Sequence, residues 1–173
     1  MIHNRRSGCA SARDVQGCED HSGTLGIVAP TKPVSESETC PCRLGTNDDG
    51  SPRLSYANCC QPWHVQGFAG LGATPETTMR SRYSAYVVQD EDYLLATWHP
   101  DTRPEAVQFA TDVEWHGLTV HHAVGAGLDA TGSVEFSARF RRGDAHLKLH
   151  ELSEFSQVGG RWYYVAGSDP DDG

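Results

Sequence analysis

A chain of 173 residues is long enough for one domain with a sizeable core and short flanking segments, and too short for two complete domains of ordinary size. Fourteen Lys and Arg against 23 Asp and Glu give a formal net charge of -9, which argues against a nucleic-acid backbone or an anionic membrane as the main partner. No apolar run reaches the roughly 18 residues that a membrane-spanning helix needs.

Residues 1–39 mix Ser, Thr, Gly, Pro and scattered charge with almost no apolar periodicity, the composition of a disordered tail. Arg5-Arg6 ahead of Cys9 has the outline of an export signal, but no apolar stretch of about 7–15 residues separates them, so the expected compartment is the cytoplasm. This segment holds four basic and five acidic residues, leaving ten against eighteen, a net -8, for residues 40–173. The acidic character therefore belongs to the body of the protein.

Residues 40–66 are rich in cysteine and in turn formers. One residue separates Cys40 from Cys42 and none separates Cys59 from Cys60, while Asn47-Asp48-Asp49-Gly50-Ser51-Pro52 reads as a loop that can fold the two pairs together. Cys40, Cys42, Cys59 and Cys60 thus form a candidate tetrahedral Zn(II) site, because four thiolates suit a cation without d-electron geometric preference. Bridges within such tight pairs have poor disulfide geometry; cross-paired disulfides, an iron–sulfur centre and free thiols stay as alternatives. His64, four residues beyond Cys60, competes for the fourth position, with Cys60 preferred. Four protein ligands close a zinc site to water, so its expected role is structural or docking, not catalytic. Cys9 and Cys18 read as tail thiols.

After a glycine-rich joint at residues 67–73, Thr74 is a plausible N-cap, with Pro75 at the first helical position and Glu76 well placed against the helix dipole. Met79, Tyr83, Tyr86 and Val87 fall on one stripe, predicting a helix over 75–89. Asp90 can cap a second helix running through Trp98 to a stop at Pro100, and Pro104 is expected to open a third around residues 104–114. From Trp115 the period changes to two. Val134, Phe136, Ala138 and Phe140 alternate with polar residues as a half-buried strand does. Gly143-Asp144 turns into a strand whose apolar phase slips between Leu149 and Leu152, the pattern of a bulge or bend. Gly159-Gly160 leads to a short aromatic strand, and residues 168–173 form an acidic tail. Helices followed by an antiparallel meander predict an α+β fold, with helices packed on one face of a bent sheet.

The cysteine pairs, with the surrounding SYANCC and Pro62, resemble the SEC-C motif, a zinc knuckle best known from the C-terminal tail of the SecA translocase ATPase. Downstream, TPETTMRSRYSAYVVQDEDYLLATWHPDTRP, WHGL, LHELSEF and GRWYYVAG are similar, in order, to the YchJ-like family of uncharacterised bacterial proteins, a likeness spanning about residues 40–167. It implies a nuclear-transport-factor-2-like (cystatin-like) domain over residues 67–167 and transfers metal-ligand roles onto the four knuckle cysteines. One departure is the sixteen residues between Cys42 and Cys59, longer than the motif usually allows. Doubling a flexible loop costs only about 0.6 kcal/mol of closure entropy, so the site should tolerate it.

Domains of this kind commonly enclose a cavity between helix and sheet. The resemblance points to Arg82, Tyr83, Trp98, His99 and Trp115 from its first half, and to His150, Glu151, Trp162 and Tyr164 from its second. His150 beside Glu151 invites an acid–base reading, yet neighbours in a strand face opposite ways; the structural reading pairs Glu151 with Arg82 or Arg161 and gives His150 a backbone carbonyl. His116, His121 and His122 read as surface residues, and the tryptophans and Tyr163-Tyr164 as core. The expected function is a zinc-containing binding protein whose knuckle docks a protein partner and whose second domain takes a partner or small-molecule ligand. The alternative is a small-molecule enzyme with His150 or Glu151 as base and Tyr83 or Tyr164 as hydrogen-bond donor.

Overall fold

The computed structural model describes residues 34–44, 53–66 and 73–171. Most of the expected tail, the Asn47–Pro52 loop, the joint at 67–72 and the last two residues lie outside the described residues, as do Cys9 and Cys18. Residues 34–39, which composition assigns to a disordered tail, are structured. Thr39 bridges Ser55, Tyr56 N donates to Glu38 O at 2.8 Å, and Val34 packs against the core. The cysteine segments consist of single helical turns, Pro41–Arg43 and Tyr56–Asn58, followed by helix α1 (Gln61–Gln66).

Helix α2 (Pro75–Val88) begins as the sequence dictates. Thr74 Oγ1 accepts from Thr77 N, Thr77 Oγ1 accepts from Thr74 N, and Pro75 occupies the first turn, so the exposed amides of the helix start are satisfied reciprocally. Helix α3 (Glu91–Ala96) is capped by Asp90, whose Oδ1 accepts from Tyr93 N at 3.0 Å. It ends earlier than expected. Trp98 leaves the helix to bridge Tyr164, with Tyr164 N donating to Thr97 O and His99 N to Tyr164 O, so sheet pairing rather than Pro100 terminates it. The third helix is absent: residues 104–112 are irregular, with a bend at 105–106 and a turn at 111–112. Val107 and Phe109 instead pack on the cluster of Ala85, Tyr93 and Leu94, and Val107 N donates to Glu91 Oε1 at 2.8 Å. These tertiary contacts override a weak local helical preference.

Strands β1 (Val113–Val124), β2 (Thr131–Arg142), β3 (Ala145–Val158) and β4 (Arg161–Ser168) form an antiparallel meander in the order β1-β2-β3-β4. Shifts in β1 at Trp115/Gly117 and Val120/His122 bend the sheet around α2. The core between them gathers Met79, Tyr83, Val134, Phe136, Phe155 and Trp162. Gly132 marks a close approach, since a Cβ there would lie 2.5 Å from both Pro75 Cγ and Val124 O.

The phase slip in β3 is not a bulge. Pairing with β2 runs unbroken from Arg142↔Ala145 to Thr131↔Ser156. Inward-facing positions continue through Leu149, Glu151 and Ser153 to Phe155, and polar residues at two of them imitate a slip. The irregularity lies in β4, where Val165 is the extra residue between Tyr164, opposite Phe155, and Ala166, opposite Glu154. Trp162, fully buried beside Gly132, is a core residue rather than a cavity residue. Trp162→Ala is expected to cost about 3–5 kcal/mol in urea unfolding, and a loss below about 1 kcal/mol would contradict this placement.

Candidate metal centre and cavity

Two structures converge on α2 from opposite sides. On the first, Cys40, Cys42, Cys59 and Cys60 bring their sulfur atoms within 4.8 Å of one another. The separations are 3.6 Å for Cys42–Cys40, 3.5 Å for Cys42–Cys59, 3.6 Å for Cys42–Cys60 and 3.9 Å for Cys60–Cys59. A tetrahedral metal with bonds of about 2.3 Å requires sulfur–sulfur edges of about 3.8 Å, so the donor set fits one such ion. A disulfide, with sulfurs about 2.05 Å apart, does not fit. Hydrogen bonds from neighbouring thiols, Cys40 first, pull Cys59 down from the ordinary thiol range, whereas bonding to Cys40 and burial hold Cys60 well above it. Without a cation the four compete for protons; a divalent ion lets all four serve as thiolates.

His64, the competing ligand, is occupied elsewhere. Its Nδ1 lies 2.7 Å from Tyr56 Oη and its Nε2 2.9 Å from Ser81 O, and burial lowers its pKa, so it ties the knuckle to α2 as a neutral ring. More contacts join knuckle and helix. Ser84 Oγ donates to Cys60 Sγ at 3.2 Å, and Arg80 Nη1 donates to Cys42 O at 3.3 Å while its Nε holds Glu76. Cys40, Cys42 and Cys60 belong to the same apolar cluster as Met79 and Tyr83.

On the other side of α2 lies a cavity of about 200 Å³. Met79, Arg82, Tyr83 and Tyr86, at i, i+3, i+4 and i+7, supply the helix wall; Trp115, Phe136, Ala138 and Leu149 supply much of the sheet wall. Glu151, Ser153 and Tyr164 add the polar part. Glu151 Oε1 accepts from Ser153 Oγ at 2.7 Å and from Tyr164 Oη at 3.5 Å. Gly167 makes room for that carboxylate, since a Cβ there would overlap it. Arg82, 3% exposed, donates from Nη1 to Leu94 O at 2.8 Å and Thr97 Oγ1 at 2.6 Å, and its guanidinium lies over the rings of Trp98 and Tyr164. Burial lowers its pKa from the usual guanidinium range. Burial also raises Tyr83 and Tyr164 above the ordinary phenol range.

Of the residues the sequence pointed to, Arg82, Tyr83, Trp115, Glu151 and Tyr164 line the cavity. Trp98 stands behind it, against Arg82, and His99 packs on Tyr163. His150 faces the other side of the sheet. Its Nε2 meets Glu135 Oε1 at 2.9 Å and its Nδ1 meets Asp171 Oδ2 at 3.1 Å, replacing the expected backbone carbonyl. Glu151 forms no ion pair with Arg82 or Arg161 among the described residues. Sequence reading did not place Met79, Tyr86, Phe136, Ala138, Leu149 or Ser153 in the cavity; the helical stripe from Met79 signals the first two, and strand parity in β2 and β3 signals the others.

Among known proteins, the family described as YchJ, middle NTF2-like domain, matches residues 74–167. A UPF0225 protein of Bordetella parapertussis is 44% identical over 137 residues, covering 79% of this chain and 96% of the relative. One from Serratia proteamaculans is 41% identical over 143 residues, covering 79% and 86%. The crystal structure of a SEC-C motif protein from Psychrobacter arcticus superposes with a TM-score of 0.63 at 30% identity, covering 76% of this chain and 82% of that one. The solution structure of a SEC-C motif protein from Rhodopseudomonas palustris gives 0.59 at 33%, covering 68% and 94%.

Two outcomes test this geometry. Cys60→Ser should reduce bound metal, whereas His64→Ala should leave metal content unchanged and lower stability by about 1–3 kcal/mol through the unpaired Tyr56 and Ser81 groups; metal analysis beside urea unfolding separates them. The second concerns His150. Hydrogen bonds to Asp171, then Glu135, raise its pKa, so its contribution to holding the C-terminal segment is complete below the ordinary imidazole pKa and is lost as pH rises through the raised one. An NMR titration should place His150 above the ordinary range; a value at or below it would show that the two carboxylates do not engage the ring.

Proposed function

The chain belongs to the YchJ family, with its middle NTF2-like domain, and from that premise we propose that it is a small-molecule-binding protein whose binding wall is braced by zinc. The observation that carries this reading is the shared helix: α2 presents Ser84 and Arg80 to the four-cysteine centre and Arg82, Tyr83 and Tyr86 to the cavity. Zinc is the metal we assign. It accepts four thiolates in a tetrahedron without geometric preference of its own, and a closed set of protein ligands leaves no position for a catalytic water. When bound, it supplies folding free energy to a segment with little apolar core.

A structural brace differs from a separable docking tag. The inner side of the knuckle is occupied by α2, so a protein partner would have to use its outer side, where Val65 is 61% exposed. The enzyme reading loses His150 as its base, because His150 and Glu151 lie on opposite faces of β3, and keeps only Glu151 beside Tyr83 and Tyr164. We place the protein in the cytoplasm, where thiols stay reduced. No helix among the described residues is long and apolar enough to cross a membrane.

Hydrogen exchange on the metal-loaded and chelated chain tests the brace. Chelation should remove amide protection from α2 together with the knuckle, and elemental analysis should find one zinc per chain before treatment. Full protection of α2 after chelation would make the knuckle an independent module and overturn the proposal.

A further inference from the structure

Arg82 is the unusual group in the cavity. It is almost completely buried, yet all its hydrogen bonds leave from Nη1; Nε and Nη2 have no hydrogen-bond partner among the described residues. Holding a guanidinium this far from solvent is costly, the aromatic faces of Trp98 and Tyr164 compensate for only part of its lost hydration, and Nε and Nη2 retain donor capacity. Glu151 stands in the same cavity and does not pair with it. One Glu151 oxygen is held by Ser153 and Tyr164, which leaves acceptor capacity on the other. The remaining walls are aromatic or aliphatic, and the buried Tyr83 hydroxyl among them has no hydrogen-bond partner among the described residues.

We infer that the cavity binds a small, neutral ligand with a flat apolar body and a head group that carries a hydrogen-bond acceptor beside a donor, as a primary amide does: the acceptor for Arg82, the donor for Glu151. The inference rests on the ligand-binding reading above and narrows it. Charge decides the class. An anionic head would satisfy Arg82 but be repelled by Glu151, and a cationic head would satisfy Glu151 but be repelled by Arg82 in a site of low polarity. A wholly apolar ligand would leave both groups unmatched. Size limits the body, because about 200 Å³ lies below the range of drug-sized sites and suits a single ring with a short head.

Four probes of nearly equal shape separate these cases: benzamide, benzoate, benzylammonium and toluene, titrated into the full metal-loaded chain and followed through the NMR signals of Trp115 and Tyr164. Benzamide should bind about tenfold or more tightly than each of the others, since each rival leaves Arg82, Glu151 or both unmatched. Glu151→Gln removes the negative charge with little change of shape and should move the preference toward benzoate by about tenfold. Benzoate or benzylammonium equalling benzamide in the unaltered protein would overturn the assigned class while leaving a ligand cavity in place. If no probe moves the Trp115 and Tyr164 signals, the ligand-binding reading falls with it. An unchanged order of preference in Glu151→Gln would remove Glu151 from recognition and equally defeat the inference.

Discussion

Helix α2 has almost no solvent face, and the rest of the structure depends on that constraint. Every residue from Thr78 to Ala85 is buried, including Arg80, Ser81, Arg82 and Ser84. A helix buried all round is ordinarily apolar all round. This one is not, so each polar side chain needs a specific partner in the element packed against it. Arg80 has Glu76 and Cys42 O, Ser81 has Thr78 O and Tyr93 Oη, Arg82 has Leu94 O and Thr97, and Ser84 has Cys60. Knuckle and α3 are thereby keyed to one helix by directional bonds, a stronger constraint on arrangement than apolar contact alone, while the sheet meets it through the apolar core.

This explains why a metal centre should matter to a cavity it does not touch. Residues on adjacent positions of α2 serve each site, Arg80 and Ser84 the sulfur atoms and Arg82 and Tyr83 the cavity, and Met79 and Tyr83 join the cavity wall to the cluster that holds Cys40, Cys42 and Cys60. A four-cysteine centre closed to water has no Lewis-acid chemistry to offer; in the proposed brace it would instead fix the depth and rotation of the helix against the sheet. Positioning of Arg82 relative to Glu151 is the quantity set in this way. Two opposite charges held in one small cavity without contact form a recognition element only while their separation is maintained.

The outer sheet face has a different character. His121 engages Ser137, His150 spans Glu135 and Asp171, and Arg141 pairs with Glu114, so the face is a network of half-buried and exposed polar bonds. Such pairs contribute little to stability individually and respond to pH and salt. Their effect here is local, holding the start of the C-terminal segment against the strands.

Much of the fold was legible in the chain. Thr74-Pro75 marks a helix start by capping chemistry, and the alternation from Val134 to Phe140 marks a strand, because both signals arise from local geometry that any context must respect. The cysteine spacing likewise identified the four sulfur atoms that come together, since at most one residue separates the members of each pair and four thiolates suit one shared cation. The tertiary structure decided the rest. Residues 104–112 became an irregular segment because Val107 and Phe109 found α2 and α3, contacts distant in sequence. Which of His150 and Glu151 faces the cavity depended on strand parity, and parity was hidden because a cavity permits polar residues at inward positions where a packed core would not. The buried fate of Arg80, Arg82 and Ser84 was equally hidden: a polar residue on a helix reads as exposed until the partners that satisfy it, Cys42 O, Thr97 and Cys60, are brought to it by the fold.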